Sequence, residues 1–180
     1  MATVAALRTI AKHTSHSVSV EPPVNAYLKP NVTLPEPERH YRADIAVVSP
    51  TYREATIIDV RTCSMKKPSS RDQVGKTVRE GERAKYTFYS NHFDFPSGHK
   101  LVPFAIDSYG RWGQDFKDFL QAFCKYAAGK DVALYNILLS RAREAIAVAH
   151  ANAVGVQLRR VVEECIDEDE HYFLSLRGGP

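Results

Sequence analysis

Two apolar runs decide the fold: ADIAVV at residues 43–48 and ATIIDV at residues 55–60. The six residues between them, SPTYRE, are hydrophilic and contain a proline, a combination typical of a turn. Apolar runs of this length that flank a short turn predict two strands of an antiparallel hairpin.

One aspartate lies at the outer end of each predicted strand, Asp44 in the first and Asp59 in the second. If the turn closes between residues 50 and 53, the two side chains lie nearly opposite each other. At about 4 Å and an effective dielectric of about 20, their charges repel by about 4 kcal/mol, so a shared proton or divalent cation is expected. Oxygen ligands with open water positions favour Mg²⁺ or Mn²⁺. In the alternative interpretation, each aspartate caps a strand end or pairs with a nearby arginine.

The segments before the hairpin predict a helix, a strand and a long connector. Apolar residues between Val4 and Ala11 recur at helical spacing, and residues 17–20 alternate as a strand does. Five prolines within residues 21–41 exclude a continuous helix or a central strand there. The basic, acid-free first twenty residues leave a mitochondrial transit peptide as the second interpretation.

The segments after the hairpin predict alternating helices and a strand. Helical spacing runs from Gln73 to about Asn91, and residues 101–106 form a third apolar strand whose Pro103 favours an edge or bulged position. Two helices follow, the first ending at Gly129 and the second capped by Asp131. The expected class is α/β, with a central mixed sheet flanked by helices.

Composition excludes several classes of protein. The chain has 180 residues, of which 44% are hydrophobic and 25% charged, as in ordinary globular domains. No apolar run reaches the roughly 20 residues of a membrane helix. Three widely spaced cysteines and seven scattered histidines argue against a disulfide scaffold and against a zinc site.

Charge divides the chain into two parts. Residues 1–162 carry 23 basic and 15 acidic residues and form the predicted domain, whereas residues 163–180 form an acidic tail that is expected to be flexible. Within the domain, residues 61–85 are strongly basic, a pattern that fits a polyanion partner or simply a solvated face. The tail could also fold back on the basic surface and restrain binding there.

The helix after the hairpin contributes a third group of polar residues. Glu82, Lys85 and Tyr89 are spaced to share one helical face. A lysine beside metal-bound carboxylates can hold a nucleophilic water or stabilise negative charge on phosphorus. Glu82 with Lys85 could equally be a surface ion pair.

Taken together, several motifs resemble a known family. They are RADI at residues 42–45, IDV at 58–60, GERAK at 81–85 followed by Tyr89, LVPFAI at 101–106 and YGRWG at 109–113. Over about residues 2–160 the chain resembles the restriction-like endonuclease domain of PD-(D/E)XK type that follows the reverse transcriptase in some non-LTR retrotransposons. The resemblance implies a restriction-endonuclease-like core in the order α-β-β-β-α-β, with two further C-terminal helices.

The resemblance also implies a function and a set of site residues. The family nicks DNA with a bound divalent metal, and Asp44 and Asp59 match its metal-binding acids, with the Val60 carbonyl as a further ligand. Lys85 matches a lysine that has moved to the following helix, where Glu82 and Tyr89 would support it. Glu21 corresponds to an outer-shell acid.

The sequence departs from the family pattern at two positions. Ala43 stands in place of the name-giving proline, and Arg61 stands where the lysine of the motif normally falls. These 180 residues contain no reverse transcriptase and no Cys/His knuckle, so target choice and priming are expected to depend on other retroelement segments.

DNA is the partner that this interpretation requires. Backbone phosphates would be neutralised by five basic residues, namely Arg61, Lys66, Lys67, Arg71 and Lys76. A nuclear location would follow from a DNA substrate, with a cytoplasmic or mitochondrial location as alternatives. The rival hypothesis is a catalytically inactive module that uses the same fold to bind nucleic acid or protein.

Overall fold

The computed structural model describes residues 2–34, 41–49, 54–63 and 75–177, with side chains as far as Gln157. Its helices and strands follow the order predicted from the sequence: α1 (Ala2–Ala11), β1 (Ser17–Val20), β2 (Ile45–Ser49), β3 (Glu54–Cys63), α2 (Lys76–His92), β4 (Lys100–Asp107), α3 (Gln114–Ala128) and α4 (Val132–Arg177). A short 3-10 helix, Asn25–Tyr27, lies in the proline-rich connector. The predicted turn at residues 50–53 lies outside the described residues.

The four strands form one mixed sheet in the order β1-β2-β3-β4. Strand β2 pairs antiparallel with both β1 and β3. Strand β4 runs parallel to β3, to which the chain returns after the crossover through α2. Pro103 lies in β4 at the sheet edge, where its missing N–H costs no ladder hydrogen bond on the open side. The α/β class with a mixed sheet and the edge position of Pro103 are thereby confirmed.

Strand alternation gives the sheet two apolar faces. Ile45 and Ile58 are paired and contact the cluster formed by α1, α3 and α4. Their neighbours Ala46 and Ile57 are also paired, but they face the opposite cluster, which includes Tyr89 of α2. Because successive strand residues point to opposite faces, the sheet is covered on both sides.

The N-terminal helix is part of the main core. Val4, Leu7 and Ile10 of α1 are buried and pack with residues of α3 and α4 such as Phe116 and Ile146. Their spacing of three residues places them on one face of the helix, as the sequence predicts. The packing gives α1 a structural role within the folded domain.

The C-terminal helices begin and end near the predicted residues. α3 ends before Gly129, whose φ of +58° suits the left-handed region. Asp131 caps α4 by accepting a hydrogen bond from the Leu134 N–H at 2.9 Å. The backbone of α4 continues to Arg177, so residues 163–177 are helical, and the flexibility of the acidic tail stays a prediction.

No helix in the described ranges is long and apolar enough to cross a membrane.

Truncating Leu7 should destabilise the whole domain. Leu7 is fully buried, so Leu7→Ala is expected to lower the free energy of unfolding by about 2–5 kcal/mol. The exposed neighbour change Arg8→Ala should alter it by less than about 0.5 kcal/mol. Urea unfolding of both variants measures this, and equal stabilities would contradict the placement of α1 in the core.

Candidate active site

The hairpin register brings Asp44 and Asp59 together. Ile45 pairs with Ile58, so the next residues outward, Asp44 and Asp59, oppose each other at the same end of the hairpin. The Asp44 Oδ2 atom accepts a hydrogen bond of 2.6 Å from the Val60 N–H, which ties the first aspartate to the second strand. By strand alternation both aspartates belong to the sheet face that α2 covers.

Asp59 is the buried member of the pair. Its residue is only 3% exposed, and its Oδ2 atom lies 2.7 Å from the Lys85 Nζ atom. The Tyr41 hydroxyl donates a second hydrogen bond to the same oxygen, also at 2.7 Å. A buried carboxylate requires such partners, and here an ammonium and a hydroxyl provide them.

The Lys85–Asp59 ion pair changes the electrostatic expectation for the two carboxylates. The sequence predicts that only a proton or divalent cation could compensate their repulsion, but Lys85 also supplies positive charge. Asp44 still responds to its neighbour: desolvation, followed by a hydrogen bond with Asp59, raises the pKa of Asp44 to about 6. Asp44, unlike Asp59, is an exposed residue, so solvent reaches its carboxyl group.

Tyr41 and Tyr89 place two phenolic side chains beside Asp59. Burial is the main cause that raises the pKa of both hydroxyls above the ordinary tyrosine value, and the charge of Asp59 adds to it. Both hydroxyls therefore stay protonated. The aromatic rings pack with Phe88 and Phe93, with Tyr41 5.8 Å from Tyr89 between ring centroids.

Tyr41 is the site residue that sequence reasoning missed. In the sequence Tyr41 lies at the end of the proline-rich segment and matches no motif. In the structure its hydroxyl contacts Asp59 directly. Its position directly before the RADI segment is the only signal in the sequence that points to it.

Glu82 has a different contact from the one predicted. Its Oε1 atom accepts a hydrogen bond of 3.1 Å from the Asp115 N–H in the first turn of α3. The residue at the N-cap, Gly113, has no side chain to do this, and a Cβ atom there would overlap the Glu82 carboxylate. Glu82 therefore caps α3 from a neighbouring helix, and no contact with Lys85 or Asp59 is found among the described residues.

A cavity of about 230 Å³ opens beside Asp44. It is lined by residues of α1, the end of β1 and the hairpin, including Glu21, Asp44 and Val60. The Glu21 N–H donates to the Asp44 carbonyl oxygen at 3.0 Å, so the Glu21 backbone lies next to Asp44. The outer-shell role of the Glu21 carboxyl stays a prediction.

The donor set suits a hard cation that keeps much of its water shell. Among the residues that the structure describes, no group of three or more His, Cys, Asp or Glu side chains converges, so the protein would supply the two aspartates and backbone oxygen. Mg²⁺ is commonly bound by one or two carboxylates together with water and substrate phosphates. Asp44 and Asp59 fit this kind of site. They do not fit a site in which protein groups supply every ligand.

The predicted DNA contacts are only partly within the described chain. Arg61 is exposed on β3, and Lys76 is half-buried at the start of α2. Lys66, Lys67 and Arg71 lie outside the described residues. Arg61 lies in β3 two residues after Asp59, and Lys76 is the first residue of α2, the helix that carries Lys85.

Comparison with known proteins adds no family to these observations: no protein-family model matches the chain, and no curated protein matches it. The chemistry of the site follows from its own geometry, in which Asp44, Asp59, Lys85 and Tyr41 meet beside the first residue of β2. Asp59 lies inside β3, which continues to Cys63, and not at the strand end that the sequence predicts.

The raised pKa of Asp44 should make stability depend on pH. The folded chain binds this proton more tightly than an unfolded chain, whose aspartate pKa is 3.8. The stabilising contribution is therefore complete below about pH 4 and is lost as pH rises through about 6. Urea unfolding between these limits should show this loss in the wild type and not in Asp44→Asn, whereas Asp94→Asn should keep it. Identical pH profiles of the wild type and Asp44→Asn would contradict the assignment.

Removing the Glu82 cap should cost stability. Glu82→Ala is expected to lower the free energy of unfolding by about 1 to 2 kcal/mol, because the α3 N-terminus loses its acceptor. The exposed control Glu80→Ala, on the same helix, should change it by less than about 0.5 kcal/mol. Thermal or urea unfolding distinguishes the two, and equal effects would argue against the capping contact.

Proposed function

We propose that the chain is a metal-dependent DNA endonuclease domain with the chemistry of the PD-(D/E)XK type. The observation that supports this most is the meeting of Asp44, Asp59 and Lys85, which come from three different elements. Phosphodiester hydrolysis requires a metal site and a cation beside the attacked phosphate. The two carboxylates would form the metal site, and the lysine would supply the cation.

The cation would be held by Asp44 and Asp59. In the contacts with Val60, Tyr41 and Lys85 each carboxylate uses its Oδ2 atom, and the Oδ1 atoms take no part in these three contacts. The Val60 carbonyl remains the proposed third protein oxygen. When bound, Mg²⁺ or Mn²⁺ would polarise a phosphate oxygen and lower the pKa of a coordinated water.

Lys85 would act on the nucleophile and on the charge that develops at phosphorus. Its ammonium is held 2.7 Å from Asp59, and its side chain is 18% exposed, so it is positioned but reachable by solvent. A preorganised ammonium can orient a water and stabilise negative charge as it forms. Tyr41 donates a hydrogen bond to Asp59 and would keep this carboxylate in one orientation, and Tyr89 packs against the Tyr41 ring.

DNA would bind through its backbone. Arg61 and Lys76, together with Lys66, Lys67 and Arg71, would neutralise backbone phosphates. Such contacts give salt-sensitive affinity without sequence preference, which fits a nuclease that other retroelement segments direct to a target. A reverse transcriptase as partner and a nuclear location are part of the same proposal.

One observation favours a second candidate function. Lys85 already neutralises Asp59, so the buried carboxylate does not require a metal ion for stability. A module without turnover could keep this ion pair for structure and bind nucleic acid or protein through its basic surface. Metal-dependent cleavage separates the two functions.

Nicking of supercoiled plasmid in Mg²⁺, Mn²⁺ or EDTA tests the proposal. The wild type should relax the plasmid only with metal, and Asp59→Ala and Lys85→Ala should each reduce the rate by at least about 100-fold. The exposed control Asp94→Asn should cleave like the wild type. DNA binding without any metal-stimulated cleavage would instead support the inactive module.

A further inference from the structure

A second and larger cavity lies away from the aspartate pair. It measures about 460 Å³ and is lined by Gly75, Arg111, Trp112, Lys117 and Arg143, among others. It shares no lining residue with the cavity beside Asp44. The proposed nuclease chemistry uses none of these side chains.

The cavity is positively charged. Arg111 follows β4, Lys117 lies in the first turns of α3, and Arg143 belongs to α4, so three elements each contribute one cation. No acidic residue is among the described residues that line it. Neither Lys117 nor Arg143 forms a salt bridge within the described part of the chain. Asp107 balances the charge of Arg111, so Lys117 and Arg143 carry the positive charge that an anion would neutralise.

Asp107 fixes the geometry of one wall. It is fully buried, and its Oδ2 atom accepts a hydrogen bond of 2.7 Å from the Arg111 Nε atom. Its Oδ1 atom accepts hydrogen bonds from the N–H groups of Tyr109 at 2.9 Å and Arg111 at 3.0 Å. The turn from Asp107 to Arg111 is therefore held by three hydrogen bonds to one carboxylate, which presents Arg111 and Tyr109 in a defined arrangement.

Tyr109 is an exposed aromatic side chain at this turn. It is 76% exposed, and the Arg111 Cζ atom lies 5.7 Å from its ring centroid. Gly110, the next residue, lines the cavity. Exposed aromatic rings beside cations are a feature of surfaces that bind single-stranded nucleic acid, where a base stacks on the ring. Trp112 does not offer this, because it packs edge-on against Phe104 and Phe116.

We propose that this cavity binds a backbone phosphate of a DNA strand, through Lys117, Arg143 and Arg111, while a neighbouring unpaired base stacks on Tyr109. The inference rests on the proposed function for its substrate. Gly75, on the cavity wall, and Lys85, at the aspartate pair, are separated by about 15 Å along α2 at 1.5 Å per residue.

Fluorescence anisotropy in EDTA tests the phosphate site without cleavage. Labelled single-stranded DNA is titrated at several NaCl concentrations between about 50 and 200 mM. In Lys117→Ala/Arg143→Ala, the slope of log affinity against log salt should become shallower by about 0.7, which is the contribution of the one phosphate that is no longer neutralised. The matched control Lys125→Ala/Lys130→Ala removes the same charge from exposed positions elsewhere and should change the slope by less than half as much.

Tyr109 is tested separately with the same probe. Tyr109→Ala should weaken binding of single-stranded DNA about tenfold, and Tyr109→Phe should restore it because the ring stacks and the hydroxyl does not. Both changes are at an exposed position, and urea unfolding of each variant checks that the fold is retained.

The outcomes distinguish this inference from the proposed function. If the salt slope of Lys117→Ala/Arg143→Ala equals that of the control Lys125→Ala/Lys130→Ala, the phosphate site is overturned, even if the wild type nicks plasmid. A shallower slope in the cavity variant without any metal-dependent nicking would support the phosphate site and count against the nuclease. If the wild type does not bind DNA at all, both proposals are wrong.

Discussion

The burial of Asp59 is the constraint on which the rest of the site depends. A carboxylate at 3% exposure cannot remain charged without partners, and Lys85 and Tyr41 both lie 2.7 Å from its Oδ2 atom. Lys85 comes from α2 and Tyr41 from the segment before β2, so satisfying one carboxylate fixes the positions of two further elements against β3. Removing either partner would leave a buried polar group uncompensated, which is costlier than the gain from forming the pair.

Helix α2 links this site to the remainder of the fold. Three residues on one face make three different contacts: Glu82 caps α3, Lys85 pairs with Asp59, and Tyr89 packs in the aromatic cluster that covers the sheet. One helical face thus joins a helix terminus, a charged pair and an apolar core. Residues that share one helical face can therefore have separate roles, because each one contacts a different element. Glu82 is the example: it shares its face with Lys85 but contacts α3.

Much of the fold could be predicted from local pattern, because periodicity and turn residues act over short distances. The hairpin, the edge strand with Pro103 and the Asp131 cap all follow from neighbouring residues, and the structure confirms them. The convergence of Asp44 and Asp59 was also predictable, since a hairpin register fixes which residues are opposite. The contacts of Tyr41 and Glu82 were not. Tyr41 reaches Asp59 from the connector before β2, outside the paired strands, and Glu82 reaches α3 because of how α2 packs. Their residue types carry no signal of those partners.

The central claim is that Asp44 and Asp59 form one divalent-cation site. Paramagnetic NMR with Mn²⁺ tests it directly, because a bound Mn²⁺ broadens backbone amide signals close to it. We expect selective broadening at Ile45 and Val60 in the wild type, and its loss in Asp44→Asn. Absence of broadening at these amides, or broadening that persists unchanged in Asp44→Asn, would contradict the assignment of a metal site to this pair.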